Sequence, residues 1–269
     1  KDKIENNTFG VWIFASGNNI SGNAIANNTD SGVVIDLGSS DNNILENNIV
    51  NNTRGVWIIM ASDNKFYHNN FIENTNPVHI PVSGHANFWD NDVEGNYWSD
   101  YAGVDSDPDG IGDSDYEIDT DNIDHCPLMG MFHSFNTSLG YYVGVISNST
   151  IEDLEYFESN STIKMHVSGL AGIGFSRVYI SHTLIDPDEI SVIIDDGLTP
   201  VLYHNYTLYD NGTHRWIYFT YEHSAHEVDI IPELPALIIL PLLMIATALT
   251  AIVCKRKTYA RIRGHWLVQ

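Results

Sequence analysis

The sequence is short of basic residues outside its last fifteen positions. All 35 acidic residues lie at or before Glu233, together with only seven of the twelve lysines and arginines. Nucleic-acid binding depends on a basic surface that neutralises phosphates, so this composition argues against that class of function. An acidic exterior of this kind suits a solvated surface that binds cations.

Cysteine is also scarce, and the two that occur, Cys126 and Cys254, lie in different contexts. They give no basis for a disulfide framework, so an exported body must be stabilised in another way. The sequence has no signal peptide, and it opens at Lys1 in what reads as the middle of a repeat. We therefore expect further N-terminal coils, and any export signal, to precede this sequence.

Long apolar runs are rare, and the sequence has one that is free of charge for 21 residues, Leu234–Cys254. This is about the length that crosses a bilayer core of roughly 30 Å. Five basic residues follow it directly, and the positive-inside rule places such a cluster in the cytoplasm. The sequence therefore predicts a single transmembrane helix within 231–254, a basic cytoplasmic tail at 255–269 and an extracellular body at 1–233.

The first hundred residues repeat with a period of 22 to 24. Three segments align, NNISGNAIANNT from Asn18, NNILENNIVNNT from Asn42 and NKFYHNNFIENT from Asn64. Short apolar runs lie between them, as in GVWIFAS from Gly10 and GVWIIMAS from Gly55. A leucine pattern is absent, so the period favours a β-solenoid over a leucine-rich repeat. Asparagine tolerates left-handed backbone and can stack in hydrogen-bonded ladders, which predicts asparagine at the corners of the coils.

These repeats are followed by GNYWSDY at 95–101 and DSDPDGIGD at 105–113. Together they resemble the archaeal parallel β-helix surface proteins described as NosD-like or as carbohydrate-binding and sugar-hydrolase (CASH) domains. The resemblance covers roughly residues 1–131. It implies a right-handed parallel β-helix at 1–98, closed by a cap at 99–131.

The cap contains the ligand order of an EF-hand calcium loop. Acidic residues occupy positions 1, 3, 5 and 9 of the loop, and Gly110 stands at position 6, where the chain must turn sharply. Position 12 is Tyr116, so the bidentate ligand must come from Glu117 or Asp119, or be missing. The predicted calcium ligands are Asp105, Asp107, Asp109, the Ile111 carbonyl, Asp113 and Glu117. The alternatives are a solvated acidic loop and a catalytic carboxylate pair.

Four aromatic residues precede this loop, namely Trp89, Tyr97, Trp98 and Tyr101. Exposed aromatic rings pack well on the C–H face of a sugar, which makes these four candidate carbohydrate contacts. Aromatic rings at this position can equally form a hydrophobic plug that closes the end of the solenoid. The sequence leaves both interpretations open.

Residues 132–230 have a different character, because the asparagine repeat stops and about seven alternating strands appear between turn clusters. This pattern predicts an antiparallel β-sandwich. The full prediction is thus an all-β body, a parallel β-helix plus an antiparallel sandwich, followed by the membrane helix. N-x-[S/T] sequons in the second domain are candidate glycosylation sites. They are Asn136, Asn148, Asn160, Asn205 and Asn211.

We interpret the sequence as a membrane-anchored extracellular protein with a structural or carbohydrate-binding role, a structural calcium loop and surface polysaccharide as its ligand. Nothing in the sequence marks it clearly as an enzyme. One alternative is a polysaccharide hydrolase or lyase, which needs a metal-free carboxylate pair on the solenoid face. A second is a NosD-like copper-handling protein, which needs convergent histidine or methionine ligands.

Overall fold

The structure, a computed structural model, describes residues 1–185, 190–195, 200–203 and 206–232. All regular elements in these ranges are β-strands. The predicted span at Leu234–Cys254 and the basic tail lie outside the described residues. Within the described residues, none of the chain forms an apolar helix long enough to cross a bilayer.

The N-terminal part is a parallel β-solenoid of short strands stacked into three sheets. The first sheet contains β1 (Lys3–Glu5), β4 (Ala24–Ala26), β7 (Asn48–Val50), β10 (Asn70–Ile72) and β12 (Tyr97–Trp98). The second contains β2 (Phe9–Ile13), β5 (Ser31–Ile35), β8 (Arg54–Ile58) and β11 (Asn76–His79). The third contains β3 (Asn19–Ser21), β6 (Asn43–Leu45) and β9 (Lys65–Tyr67). The predicted solenoid is confirmed.

Equivalent residues of successive coils stack directly on one another. Ile25 pairs with Ile49, which pairs with Phe71, and Phe71 pairs with Trp98. A second column joins positions 20, 44 and 66. The aligned positions of the sequence repeat are therefore the stacked positions of the core, and each coil buries its apolar side chains against its neighbours.

Paired residues at the corners explain the abundance of asparagine. The first member of a pair takes a left-handed φ, as at Asn27 (55°) and Asn51 (50°). The second member is buried and donates its side-chain N–H to the amide oxygen of the next coil, as from Asn28 to Asn52 at 2.9 Å. Asparagine suits both roles, but glycine, aspartate, glutamate or histidine also occupies the left-handed position. The ladder position therefore restricts the residue type more than the left-handed position does.

Three such ladders run along the solenoid, and two of them end on an aspartate. One consists of Asn23, Asn47, Asn69, Asn96 and Asp124. Another consists of Asn18, Asn42, Asn64, Asn87 and Asn122. The side-chain amide of Asn122 donates in turn to Asp119 at 2.9 Å. In each ladder the side-chain N–H of one residue donates to the side-chain oxygen of the next coil. The last member must therefore accept hydrogen bonds, as the oxygen atoms of an aspartate side chain do.

The second domain consists of two antiparallel five-stranded sheets. In spatial order, one contains β15 (Met131–Asn136), β16 (Tyr142–Ser147), β19 (Ile173–Ser181), β23 (His214–Glu222) and β22 (Tyr206–Asp210). The other contains β17 (Thr150–Phe157), β18 (Thr162–Ser168), β24 (His226–Pro232), β20 (Ile190–Asp195) and β21 (Pro200–Tyr203). Side chains from both sheets share one buried core that includes Met165 and Ile217, as the predicted sandwich requires. A hairpin of β13 (Tyr116–Asp119) and β14 (Asn122–Asp124) lies between the two domains in the chain.

The solenoid and the sandwich meet through specific polar contacts. The side-chain amide of Asn70 accepts a hydrogen bond from the backbone N–H of Phe132 and donates one to its carbonyl, each at 2.8 Å. Arg177 of β19 donates to Glu94 of the solenoid end at 2.9 Å. Arg177 also donates to the Asp109 carbonyl, so the acidic loop of the cap is held against the sandwich.

Candidate metal centre

The centre of the acidic loop brings three carboxylates together. Oxygen atoms of Asp105, Asp107 and Asp109 all lie within 4.8 Å of one another. Gly110 follows with a φ of +88°, which lets the chain turn back at the sixth position of the loop. The backbone N–H groups of Asp109 and Gly110 donate to Asp105 at 3.1 and 2.8 Å. The loop therefore holds its aspartates in a defined, oxygen-rich arrangement.

The electrostatics of this arrangement favour a neutralising partner. Burial raises the pKa of Asp109, and the neighbouring carboxylates of Asp107 and Asp105 raise it further, against the lowering effects of the Ile111 N–H and Arg177. Arg177 places Nη1 2.9 Å from the Asp109 carbonyl and 3.3 Å from its carboxylate. One guanidinium thus contacts two carboxylates, that of Glu94 at 2.9 Å and that of Asp109 at 3.3 Å.

The other predicted ligands lie outside this group of mutually close carboxylates. Hydrogen bonding by the side chain and the backbone of Ser106 lowers the pKa of Asp113, and the backbone N–H of Ser106 donates to its carboxylate at 2.7 Å. Ile111 follows the turn and pairs with Leu128 in an isolated bridge. Glu117 lies in the β13–β14 hairpin, and Asp119 is engaged by Asn122. The structure brings together the first three predicted ligands and leaves the remaining ligand set a prediction.

Two of the predicted carbohydrate contacts are buried, and that prediction is wrong for them. Trp89 and Trp98 are each 1% exposed. Trp89 stacks on Phe66 with ring centroids 4.3 Å apart, and Trp98 stacks between Phe71 and Tyr116 at 4.2 Å on each side. Both indoles continue the apolar columns of the solenoid, so they close its end and offer no ring face to a sugar.

Tyr97 and Tyr101 are half-buried, and both also serve the cap. Tyr101 donates from its hydroxyl to the Ser114 carbonyl at 2.6 Å, and its ring occupies the space beside Gly103 and Gly112. Burial raises the pKa of the Tyr97 hydroxyl. The contacts of both residues with the cap account for the partial burial of their side chains.

The sequons of the sandwich differ in their surroundings. Asn136, Asn160 and Asn211 are exposed, whereas Asn205 lies outside the described residues. The amide of Asn148 is exposed but bonds the β19 backbone, accepting from Phe175 N at 2.9 Å and donating to Ile173 O at 3.0 Å. A glycan on Asn148 would compete with this contact.

Sequence reasoning missed the buried charges that fix the loop to both domains. Arg177, Glu94 and His68 are all under 8% exposed, and the two carboxylate oxygens of Glu94 contact the other two residues at 2.9 Å. Interaction with His68 and Arg177 lowers the pKa of Glu94 in spite of its burial. The signal in the sequence was the scarcity of basic residues, since an arginine in so acidic a chain is a candidate for a structural ion pair.

Histidine and cysteine do not form a comparable group in the described ranges. There the triad of aspartates is the one cluster of three or more ligand-type side chains close enough to share a metal ion. The half-buried Cys126 is a free thiol, and burial raises its pKa to about 12, which makes it a poor nucleophile and ligand near neutral pH. The candidate metal site therefore provides carboxylate oxygen atoms as its ligands.

Comparison with known protein families finds a similarity that is confined to the solenoid and the residues just after it. Residues 2–103 match the family model described as NosD, a periplasmic copper-binding protein. The match ends at the start of the acidic loop and covers less than half of the 269 residues. No curated protein and no solved structure matches the chain. The solenoid is thus similar to NosD, and the similarity does not extend to the sandwich.

Proposed function

We propose that this chain is a cell-surface protein that binds surface polysaccharide, and that Ca²⁺ at Asp105, Asp107 and Asp109 holds its solenoid and sandwich together. The convergence of these three carboxylates within 4.8 Å, at the boundary of the two domains, carries the metal part of the proposal. The similarity to a periplasmic family supports an extracellular location for the body. Anchoring by Leu234–Cys254 completes the proposed arrangement.

The donor set favours calcium over a transition metal. Ca²⁺ prefers several carboxylate and carbonyl oxygens on a flexible loop, whereas copper favours imidazole and sulfur. The Asp109 carboxylate and the aspartates around it would be neutralised by a divalent cation, which removes the repulsion that raises the Asp109 pKa. In this role the ion is structural, since a carboxylate that coordinates calcium does not act as a general acid.

The experiment is a thermal melt of the 269-residue chain in mild detergent, first in EDTA and then across a calcium titration. A ligand that binds only the folded state stabilises it by about 2.7 kcal/mol at a hundredfold excess over Kd, so we expect the melting temperature to rise. Asp107→Asn should weaken the rise and move it to higher calcium, because it removes one negative charge from the ligand set. Asp107 is exposed and makes no side-chain hydrogen bond within the described residues, so the fold itself should not be disturbed.

Asp63→Asn is the matched control, because Asp63 is an exposed solenoid aspartate far from the loop in sequence, with a left-handed φ that asparagine tolerates. It should keep the full calcium response. A melting temperature that ignores calcium would contradict the metal proposal.

Copper handling is the second candidate, and the family match favours it. The same melt with Cu²⁺, together with a stoichiometric binding measurement, separates the two. Tight binding of one copper ion that survives Asp107→Asn would support copper handling through residues other than the aspartate loop.

A polysaccharide hydrolase or lyase is the remaining candidate. Its test is release of reducing ends from polysaccharide by the purified chain.

A further inference from the structure

The outer face of one sandwich sheet carries a row of aromatic side chains. Tyr179 of β19 and Tyr209 of β22 both pair directly with Trp216 of β23. Their ring centroids lie 5.1 and 5.2 Å from that of Trp216, and Tyr142 of β16 continues the row at 5.5 Å from Tyr179. The residues that alternate with them point into the sandwich core. The row therefore lies on the face of the sheet that is turned away from the sandwich core.

This row forms one wall of a crevice between the two domains. Two adjoining hollows of about 380 and 230 Å³ both have Val93 and Trp216 in their linings. The opposite wall comes from the solenoid end and the acidic loop, with Asp92, Asp107 and Asp109 at its rim. Ligand sites occur preferentially at such domain interfaces.

The crevice combines groups with unmet hydrogen-bonding needs. Trp216 is 7% exposed, and its indole N–H has no hydrogen-bond acceptor among the described residues. A buried donor left in that state costs free energy. The Trp216 ring lies beside that of Tyr209, which is 55% exposed and on an edge strand. The carboxylate of Asp92, in contrast, requires a donor.

These requirements point to one class of ligand. A cationic ligand would satisfy the carboxylates and the aromatic faces, but a cation offers no acceptor to the indole N–H. An anionic ligand would be repelled by Asp92, and Arg177, which also lines the crevice, already contacts Glu94 and Asp109. The hydroxyl groups of a sugar both donate and accept, and the C–H face of its ring packs on an aromatic side chain.

We propose that this interdomain crevice, bounded by Tyr209, Trp216, Tyr218 and Asp92, binds a sugar residue of a neutral polysaccharide. The inference rests on the proposed carbohydrate-binding function and gives it a site. That site differs from the buried tryptophans at the end of the solenoid. Because the second domain forms one wall of this site, the sandwich contributes to recognition and does not act only as a spacer.

The experiment is calorimetric titration of the 269-residue chain, in detergent and calcium, with hexasaccharides of β-1,4-linked glucose, α-1,4-linked glucose and β-1,4-linked N-acetylglucosamine, and with hexalysine. We expect saturable binding of a hexasaccharide. Tyr209→Ala should raise its Kd about tenfold, because the exposed ring provides the stacking face. Tyr209→Phe, which keeps the ring, should bind like the wild type.

Trp12→Ala is the matched control, because Trp12 is an aromatic residue 41% exposed on the solenoid, with its ring stacked on Phe14. It should leave sugar binding unchanged. The proposal is overturned if no hexasaccharide binds, if Tyr209→Ala binds normally, or if Trp12→Ala loses binding equally. Hexalysine binding that is lost in Tyr209→Ala would assign the crevice to a cationic ligand instead.

A calcium melt of the same variants separates this proposal from the metal site. Tyr209→Ala should retain the calcium-induced rise in melting temperature, since Tyr209 does not belong to the aspartate group. A normal calcium response without binding of any hexasaccharide would overturn the crevice and the carbohydrate part of the proposed function, and would leave the metal site intact. Sugar binding that is insensitive to Tyr209→Ala would keep carbohydrate binding and place it elsewhere.

Discussion

The solenoid and the sandwich each carry a row of polar side chains across neighbouring strands. In the solenoid, Asn47, Asn69 and Asn96 are fully buried and bond one another through their side-chain amides. In the sandwich, Asp153 and Glu227 lie on either side of His166, and all three side chains are at least 36% exposed. A buried polar group must be satisfied within the protein, whereas an exposed one can bond water. We therefore expect the buried row to be essential for the stability of the solenoid and the exposed row to be dispensable for the stability of the sandwich.

The largest effect is expected where a buried charge joins the two domains. Arg177→Met leaves Glu94 buried beside His68 with one of its two side-chain partners removed. Breaking a buried ion pair in this way costs about 3–5 kcal/mol. Urea unfolding should show the loss, and the double variant with Glu94→Gln should recover part of it. Arg54→Met, which breaks the more exposed pair with Asp30, should cost clearly less; equal losses would contradict this ranking.

The buried ladder should be the next most sensitive feature. Asn69→Ala leaves the backbone N–H of Asn47 and the carbonyl of Ile44 without their partner inside the core. We expect a loss of about 3 kcal/mol in the free energy of unfolding, measured with urea. Asn19→Ala removes an exposed asparagine of the same solenoid with no side-chain bond to lose. A similar cost for both variants would mean that the ladder is not the source of the stability.

The end of the ladder should be sensitive to pH. Asp124 accepts bonds from the Trp98 indole, the Asn96 backbone and the Cys126 backbone, yet burial raises its pKa to about 7. The folded chain therefore holds this proton more tightly than the unfolded chain. The stability that this preference contributes is complete below the ordinary aspartate pKa and is lost as pH rises through about 7.

Asp124→Asn tests this behaviour, because asparagine removes the titration and places a donor opposite the N–H groups of the cap. We expect a loss of about 1–3 kcal/mol at a pH of about 5, with a smaller gap from the wild type at about 8. The midpoints of urea unfolding of the wild type and the variant, measured at the two pH values, test this expectation. A gap that is constant or grows with pH would show that Asp124 is ionised throughout.

The exposed row of the sandwich should give the smallest effect. Lys164 contacts Glu227 at 2.5 Å beside the Asp153–His166 pair, with its side chain 31% exposed. Surface ion pairs contribute at most about 1 kcal/mol, so Lys164→Met should change the urea midpoint little. A loss as large as that of Asn69→Ala would remove the contrast between the two rows.

Much of the solenoid could be predicted because its chemistry repeats. The alignment of positions 20, 44 and 66 predicts the observed register, and the recurrent asparagines predict the ladders. The sites at the end of the solenoid could not be predicted equally well, since the repeat stops there. Asp124 takes the place of an asparagine, and an aspartate in an acidic segment gives no sign that it ends a ladder.

In the acidic loop, too, some features could be predicted from the sequence and others could not. The spacing of Asp105, Asp107 and Asp109 predicts that they converge, because alternate residues of a tight loop face the same side. The contact with Arg177 was beyond prediction, since it joins residues 68 positions apart in the chain. The burial of Trp98 depended in turn on the ring of Tyr116 from the hairpin.

By itself, the sequence determined the coil period, the corner asparagines, the alternating strands of the sandwich and the acidic loop, because each follows from the chemistry of residues near one another in the chain. Only the tertiary structure decided which tryptophans are buried, which arginine faces the aspartates and where an aromatic row meets the solenoid. Those features depend on contacts between distant segments, whose geometry is set when the two domains pack together.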